Sequence, residues 1–302
     1  MLGEEQVESF HRDGLLILRE FLGPEELDLL QSDVDRVIES GIRRVGEGHG
    51  YRLVDGRDQY YRTDGIWGYG AALRSVTVRP GLLAAVGQCI GHPFLPINDS
   101  IVVKLPRSGV PIPWHQDPPY QGPDGLPVTF GVPNFTVDIY LDHTTETNGC
   151  LYGIAGHHLV GHVEVEQYGE EELFSRPDSI PIEMEPGDIL FHSTTTPHGS
   201  RANQSDDTRR VIYIHYMARE VLEAMHPEWM ADKPGFSDAG IETARAMIEE
   251  AGVAADLERN GVRLGDNGFE FVGDPGTPPF LWDMLGSEMA PDQIEAKKRL
   301  LA

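Results

Sequence analysis

Phe135-Thr136-Val137-Asp138-Ile139-Tyr140-Leu141 is the stretch on which the fold turns. β-Branched and aromatic side chains dominate it, and it reads as a strand. Ile101-Val102-Val103-Lys104-Leu105 has the same texture upstream, and Cys150-Leu151-Tyr152-Gly153-Ile154, Gly187-Asp188-Ile189-Leu190-Phe191-His192 and Arg209 to Met217 repeat it downstream. These runs are short, are separated by Gly, Pro, Asn and Asp, and none alternates with a long helix. Such a pattern predicts a closed or double-sheet antiparallel barrel.

Helices flank that core. Residues 4–12 read as a short amphipathic helix, followed by Gly14-Leu15-Leu16-Ile17-Leu18 as a buried strand. Pro24-Glu25-Glu26 after Gly23 starts a helix, with Pro in its first turn and acids at the positive end of the dipole. Leu27, Leu29, Leu30, Val34, Val37 and Ile38 continue it as an apolar stripe. A loop runs from about 46 to 70, and a further helix covers 79–90. Beyond about 218 the chain turns helical again, most clearly from Ile241 to Ala254, and is Gly/Pro-rich at 265–279. The expected plan is a single domain over 1–302: a helical N-terminal part at 1–96, a β-barrel core at 97–217 and a helical C-terminal extension at 218–302.

Composition narrows the function classes. Carboxylates outnumber Lys plus Arg by 49 to 24, a formal charge of −25. A surface this acidic repels nucleic acid and anionic lipid, so neither is an expected partner. No basic patch is evident either, which disfavours a polyanion such as an acyl-CoA unless a local arginine cluster overrules the global sign, and leaves a small-molecule substrate. Only Cys89 and Cys150 occur, with no C-x-x-C spacing, which suits a reducing cytoplasm. The start MLGEEQVESF lacks the basic and apolar regions of a secretory leader, and the apolar run at 81–86 is far too short to span a membrane.

The chemistry is carried by Trp114-His115-Gln116-Asp117, answered some eighty residues later by Pro197-His198-Gly199-Ser200 and then Arg209. Residues two apart on an extended segment project to the same face, so His115 and Asp117 point together. One distant histidine would complete a 2-His-1-carboxylate set, the ligand set of non-heme Fe(II) oxygenases. His192, His198 and His215 all compete for that place. His198 is favoured because it opens the run His198-Gly199-Ser200-Arg201-Ala202-Asn203 that leads to Arg209. On an extended 209–217 segment, Arg209 shares a face with Val211, Tyr213 and His215, whereas Arg210 points the other way.

With these residues in view, the sequence resembles the phytanoyl-CoA dioxygenase family of Fe(II)/2-oxoglutarate oxygenases. The resemblance runs through Gln6-Val7 to Phe10, Asp13-Gly14-Leu15, the helix after Pro24 and Lys104-Leu105-Pro106 up to the H-x-D. It continues through Asn148-Gly149-Cys150-Leu151, Pro186-Gly187-Asp188 and a closing H-x-S-x-x-N with an Arg eleven residues after the His. That last element fixes His198. The resemblance implies a mainly β fold with flanking helices, a double-stranded β-helix of jelly-roll or cupin-like type. It also implies His115, Asp117 and His198 as iron ligands, and Arg209 gripping the distal carboxylate of 2-oxoglutarate with help from Ser200. O2 would be the second co-substrate. Ser100 and Asp138 stand where the family lines the 2-oxoglutarate pocket, although an aromatic residue is usual at 138. A carboxylate at 117, where related halogenases carry a small residue, implies hydroxylation or another C–H oxidation.

Two other classes fit the same ligand types: a zinc-dependent hydrolase and a non-catalytic jelly-roll binding protein. The aromatic segment Tyr60 to Tyr69 reads either as a lid or as packing between helices and barrel, and Tyr120 and Phe130 read as candidates for a lid at the rim. His143, His162, His192 and His226 read as scaffold or surface groups, and His157 and His158 as structural. The C-terminal extension would either close the cavity or form a homodimer contact.

Overall fold

The computed structural model describes residues 1–107, 110–117, 134–160, 165–224 and 238–273. Thirteen strands occur among them: β1 (Leu15–Leu18), β2 (His49–Val54), β3 (Arg57–Asp64), β4 (Phe94–Lys104), β5 (Ile112–His115), β6 (Asn134–Tyr140), β7 (Leu151–Ile154), β8 (Ser179–Ile182), β9 (Ile189–Ser193), β10 (His198–Ser200), β11 (Arg209–Ala218), β12 (Val262–Gly265) and β13 (Gly268–Phe271). They form two antiparallel sheets. The larger runs β1-β9-β6-β11-β4-β13-β12 with the β2–β3 hairpin attached at β4, and the smaller runs β5-β10-β7-β8. The architecture is a double-stranded β-helix with helices on one side.

Side-chain alternation on β6 and β11 sorts the faces of the larger sheet. Phe135, Val137 and Ile139 join Ile212, Ile214 and Tyr216 in the main apolar core, outside the barrel. Tyr140 and Val211 join a smaller apolar cluster with Leu151, Ile182, Met184 and Leu190, and Tyr213 packs against it. The outer core is roofed by α1 (Glu4–Asp13), α2 (Pro24–Arg43), α3 (Ala71–Thr77) and α4 (Pro80–Ile90), which bring Phe10, Val34, Leu73 and Leu82 onto the sheet. Phe135 stacks on Phe191 with ring centroids 5.0 Å apart, and Phe10 meets Phe135 edge-on at 4.8 Å. Each such ring, fully buried, stabilises the fold by roughly 1.5–3 kcal/mol relative to exposure.

The start of α2 follows the sequence reading, for the Glu26 carboxylate accepts the Gly23 N–H at 3.3 Å. Leu30, Val34 and Val37 are buried, but Leu29 is 62% exposed and falls outside the stripe. Ahead of β7, Gly149 has φ +82°, and a Cβ there would stand 2.4 Å from the Arg201 carbonyl oxygen. Only glycine fits that turn.

The structure departs from the expected plan in three places. The supposed loop at 46–70 is the β2–β3 hairpin followed by a 3-10 turn (Ile66–Tyr69). The apolar contribution of its strands to the core is limited to Tyr51 and Tyr60, and Leu53 is 74% exposed; backbone pairing of Arg62, Thr63 and Asp64 with Val102, Ile101 and Ser100 holds them as well. The N-terminal part is therefore not only helical, since β1, β2 and β3 all belong to the larger sheet. Nor is the C-terminal extension only helical: β12 and β13 form a hairpin that adds to β4 through Phe269 and Phe94. The helix Asp238–Ala251 packs on α3, where Arg74 grips Glu250 at 2.6 and 2.7 Å. No helix among the described residues is long and apolar enough to cross a membrane. Tyr120, Phe130, His162 and His226 lie outside the described residues.

Candidate active site

Strand register brings the two distant histidines together. His115 ends β5, His198 begins β10, and they are cross-strand partners in the smaller sheet, with ring centroids 4.2 Å apart. Asp117 lies just beyond β5, where its N–H donates to the Thr194 carbonyl at 3.0 Å. One ligand atom from each of His115, Asp117 and His198 lies within 4.8 Å of the others, the one such cluster among the described residues.

The local hydrogen bonds suit metal ligation. His115 Nδ1 donates to the Pro113 carbonyl at 2.8 Å, and His198 Nδ1 donates to the Thr196 carbonyl at 2.9 Å. A carbonyl only accepts, so each Nδ1 carries a proton, and Nε2 is the nitrogen that a neutral ring leaves for a metal. Burial, reinforced by His115 and His192, holds His198 well below the ordinary histidine range. Burial works against charge on Asp117, but His215, His198, His192 and His115 outweigh it and lower that carboxyl. Two neutral imidazoles and one carboxylate are a fitting donor set for ferrous iron.

The larger sheet supplies the facing wall. Arg209 begins β11, is 1% exposed, and has Nε and Nη2 without a hydrogen-bond partner among the described residues. Such a buried fork fits a carboxylate ligand, which would take both donors side by side. Tyr213 and His215 follow on the same face of β11, and burial pushes the Tyr213 hydroxyl up to about 12, so it remains a neutral donor. Arg210 points away, held by Asp142 at 2.7 and 3.0 Å and by Asp35 at 2.7 Å. Ser200 on β10 and Ser100 on β4 both line the cavity. Asn203, the last residue of the H-x-S-x-x-N run, has a different task. Its Nδ2 donates to the carbonyls of Lys104, Leu105 and Asp207, locking the turn that delivers Arg209.

Asp138 is fully buried and does not line the cavity; His192 stands in front of it. His192 Nδ1 donates to Asp138 Oδ2 at 3.1 Å and lies 3.0 Å from Oδ1, and its Nε2 lies 4.0 Å from Asp117. Burial opposes charge on His192, yet Asp138 and Asp117 outweigh it and raise the imidazole. The carboxylate that departs from the family pattern thus has a local partner, and His192, read as scaffold or surface, is a wall of the site. The signal was available, because Asp138 and His192 sit on strands whose polar residues interrupt otherwise apolar runs. Replacing Asp138 by Leu strands a buried imidazole donor and is expected to destabilise the protein by roughly 1–3 kcal/mol. Urea unfolding of Asp138→Leu, His192→Leu and the double variant checks this, the double variant losing less than the sum.

The cavity between the sheets measures about 530 Å3 and holds the triad, Arg209, Tyr61, Arg62 and Arg52 in its wall. That volume suits a small ligand. It also corrects the expectation that no basic patch exists: arginines spread from 52 to 209 in sequence converge on one cavity. Tyr60 to Tyr69 divides between both of its readings. Tyr60 is buried in the core, Trp67 packs against it, and Tyr61 and Arg62 face the cavity. Among the described residues none beyond His215 lines it, so the described part of the C-terminal extension does not close it.

Comparison with known proteins agrees with this geometry. A family model described as phytanoyl-CoA dioxygenase (PhyH) matches residues 10–211. A methylphosphonate hydroxylase from Gimesia maris is 27% identical over 77% of this chain and 86% of its own length. The dioxygenase lolE1 of Epichloe uncinata is 24% identical over 70% of this chain and 81% of its own. Among solved structures, AviO1 from Streptomyces viridochromogenes Tue57 superposes with a TM-score of 0.61 at 25% identity, covering 74% of this chain and 96% of that one.

Proposed function

The chain belongs to the phytanoyl-CoA dioxygenase family, and from that premise we propose that it hydroxylates a C–H bond of a small metabolite at the triad His115, Asp117 and His198. It is an enzyme of the Fe(II)- and 2-oxoglutarate-dependent dioxygenase class. Bound iron supplies the oxidative chemistry, in which 2-oxoglutarate and O2 are converted to succinate and CO2 as the substrate is oxidised.

The chain's own residues perform the rest. His115 and His198 present Nε2 to the metal while their Nδ1 atoms are pinned to backbone carbonyls. Asp117 supplies the anionic ligand and Arg209 receives the distal carboxylate of 2-oxoglutarate, with Ser200 and Ser100 beside it. Tyr213 stands next to that guanidinium. Asp138 acts one layer back, fixing the ring of His192. The walls of β4, β6 and β11 keep bulk water away from the reacting centre. We assign the protein to the cytoplasm, with a small-molecule substrate, no nucleic-acid or membrane partner and a possible homodimer, on the strength of its acidity and its two buried free cysteines. One domain spanning 1–302 remains our division of the chain.

The observation that carries this reading is the His115–His198 register pairing opposite a buried, unpaired guanidinium. Anaerobic addition of Fe(II) and then 2-oxoglutarate is expected to give a visible charge-transfer band, and air with a substrate panel is expected to release succinate. A zinc hydrolase gives neither. Absence of both would sink the oxygenase reading.

A further inference from the structure

Taking the proposed iron and 2-oxoglutarate site as given, we propose that the β2–β3 hairpin carries an oxyanion receptor: Arg52, with Arg62 beside it, binds the anionic end of the substrate. The class of substrate is a small metabolite bearing a phosphonate, phosphate or carboxylate group.

Most arginines of this acidic chain are ion-paired, and among the described residues Arg52 is not. Arg44 holds Asp58, Arg74 holds Glu250, Arg201 holds Glu171 and Arg210 holds Asp142. Arg52 has no carboxylate within ion-pair distance among the described residues. Its contacts there are a long one to the Pro111 carbonyl at 3.5 Å and the face of Tyr61, 5.0 Å from the ring centroid. It is half-buried, and it lines the same cavity as Arg209. A guanidinium in a cavity wall, held by an aromatic face and lacking an internal anion, is built to receive an external one.

Register explains how Arg62 joins it. Arg62 pairs with Val102 on β4, and Val102 pairs with Val211 on β11, so all three side chains share the inner face of the larger sheet. Asp64 accepts from Arg62 Nε at 2.8 Å and from Nη2 at 2.7 Å, which fixes the fork and leaves Nη1 outside the pair. Tyr61 stands between the two arginines in sequence and supports Arg52. The hairpin lies at the edge of the larger sheet, and Arg52, Tyr61 and Arg62 on it line the cavity. Its charge thus offers a second anion site apart from Arg209, which the co-substrate would take. Among the described residues Asp117 is the one carboxylate lining the cavity, and the metal would neutralise it. Methylphosphonate, the substrate named for a 27%-identical relative, has the matching chemistry and is the natural probe.

The test uses the full chain loaded anaerobically with Fe(II) and 2-oxoglutarate, titrated with methylphosphonate, acetate and neutral acetamide while the visible band is followed. Methylphosphonate or acetate is expected to shift the band and acetamide is not. The tighter of the two anions tells a phosphorus oxyanion from a carboxylate. Arg52→Gln is expected to raise the Kd of the preferred anion by about tenfold or more, with Arg52→Lys intermediate. The charge-matched control Arg44→Gln is expected to leave it unchanged. An equal response to acetamide, no response to either anion, or parent-like affinity in Arg52→Gln would each overturn the proposal. Failure of the band to form in the parent would instead strike the metal-site reading; thermal-shift titration of parent and Arg52→Gln with the same probes then decides the anion site alone.

Discussion

Substituting His198 by Ala is expected to abolish stable iron binding and to lower succinate release by more than about a hundredfold. The magnitude follows from comparison. Loss of a group that merely supports a metal ligand costs roughly 10–100-fold in affinity or activity, so loss of a ligand itself must exceed that range. The choice of residue is the critical point, because four imidazoles line the cavity, and beside His115 three of them could complete the set: His192, His198 and His215. His198 is the one paired in register with His115, and its Nδ1 is committed to the Thr196 carbonyl. His192 turns its Nδ1 toward Asp138 instead, which makes it a support. His192→Ala and His215→Ala are therefore expected to retain iron and lose activity by less. Iron content after anaerobic loading and desalting, read beside succinate rates, ranks the three. A His198→Ala protein that kept its iron and turned over within about tenfold of the parent would remove the triad assignment.

What the sequence disclosed and what it hid divide along physical lines. Strands with strong β-branched runs, such as Phe135 to Tyr140 and Ile189 to Ser193, were legible because burial of both faces writes itself into composition. The His115, Asp117 and His198 cluster was legible because His115 and Asp117 stand two apart on an extended segment and the spacing from His198 to Arg209 is fixed by the strand and turn between them. The face shared by Arg209, Tyr213 and His215 followed from the period of two, and the cavity wall bears it out. The β2–β3 hairpin was hidden because Arg57 to Asp64 is polar and aromatic, with no β-branched run; pairing with β4 and the packing of Tyr51 and Tyr60 on the core hold it. Asp138 is on the strand where it was read, but it does not line the cavity. A single sequence shows that a polar residue faces inward; it does not show that His192 stands between it and the cavity. The arginine cluster was hidden for the same reason as the net charge was misleading. A global excess of carboxylates says nothing of where three guanidinium groups converge.

Replacing Arg209 by Met is expected to raise the KM for 2-oxoglutarate by about thirtyfold to several thousandfold, the equivalent of 2–5 kcal/mol for truncating one partner of a buried, hydrogen-bonded charge pair. Geometry sets the upper part of that range. Arg209 is 1% exposed, and two of its nitrogens lack a protein partner, so water cannot stand in readily for the lost fork. Arg209→Lys keeps the charge and loses the bidentate shape, and is expected to fall between the two. The same substitution should act differently on the fold. Removing a desolvated cation and filling its space with a thioether of similar length takes away a buried group that is costly to keep charged. The unliganded Arg209→Met protein should thus melt no lower than the parent. The parent should gain thermal stability as 2-oxoglutarate is added in the presence of a redox-silent metal, since a ligand that binds only the folded state stabilises it by mass action. Arg209→Met should show no such gain. If the variant were stabilised by 2-oxoglutarate as the parent is, the guanidinium on β11 would not be the co-substrate's anchor, and Arg52 or Arg62 would have to take that place.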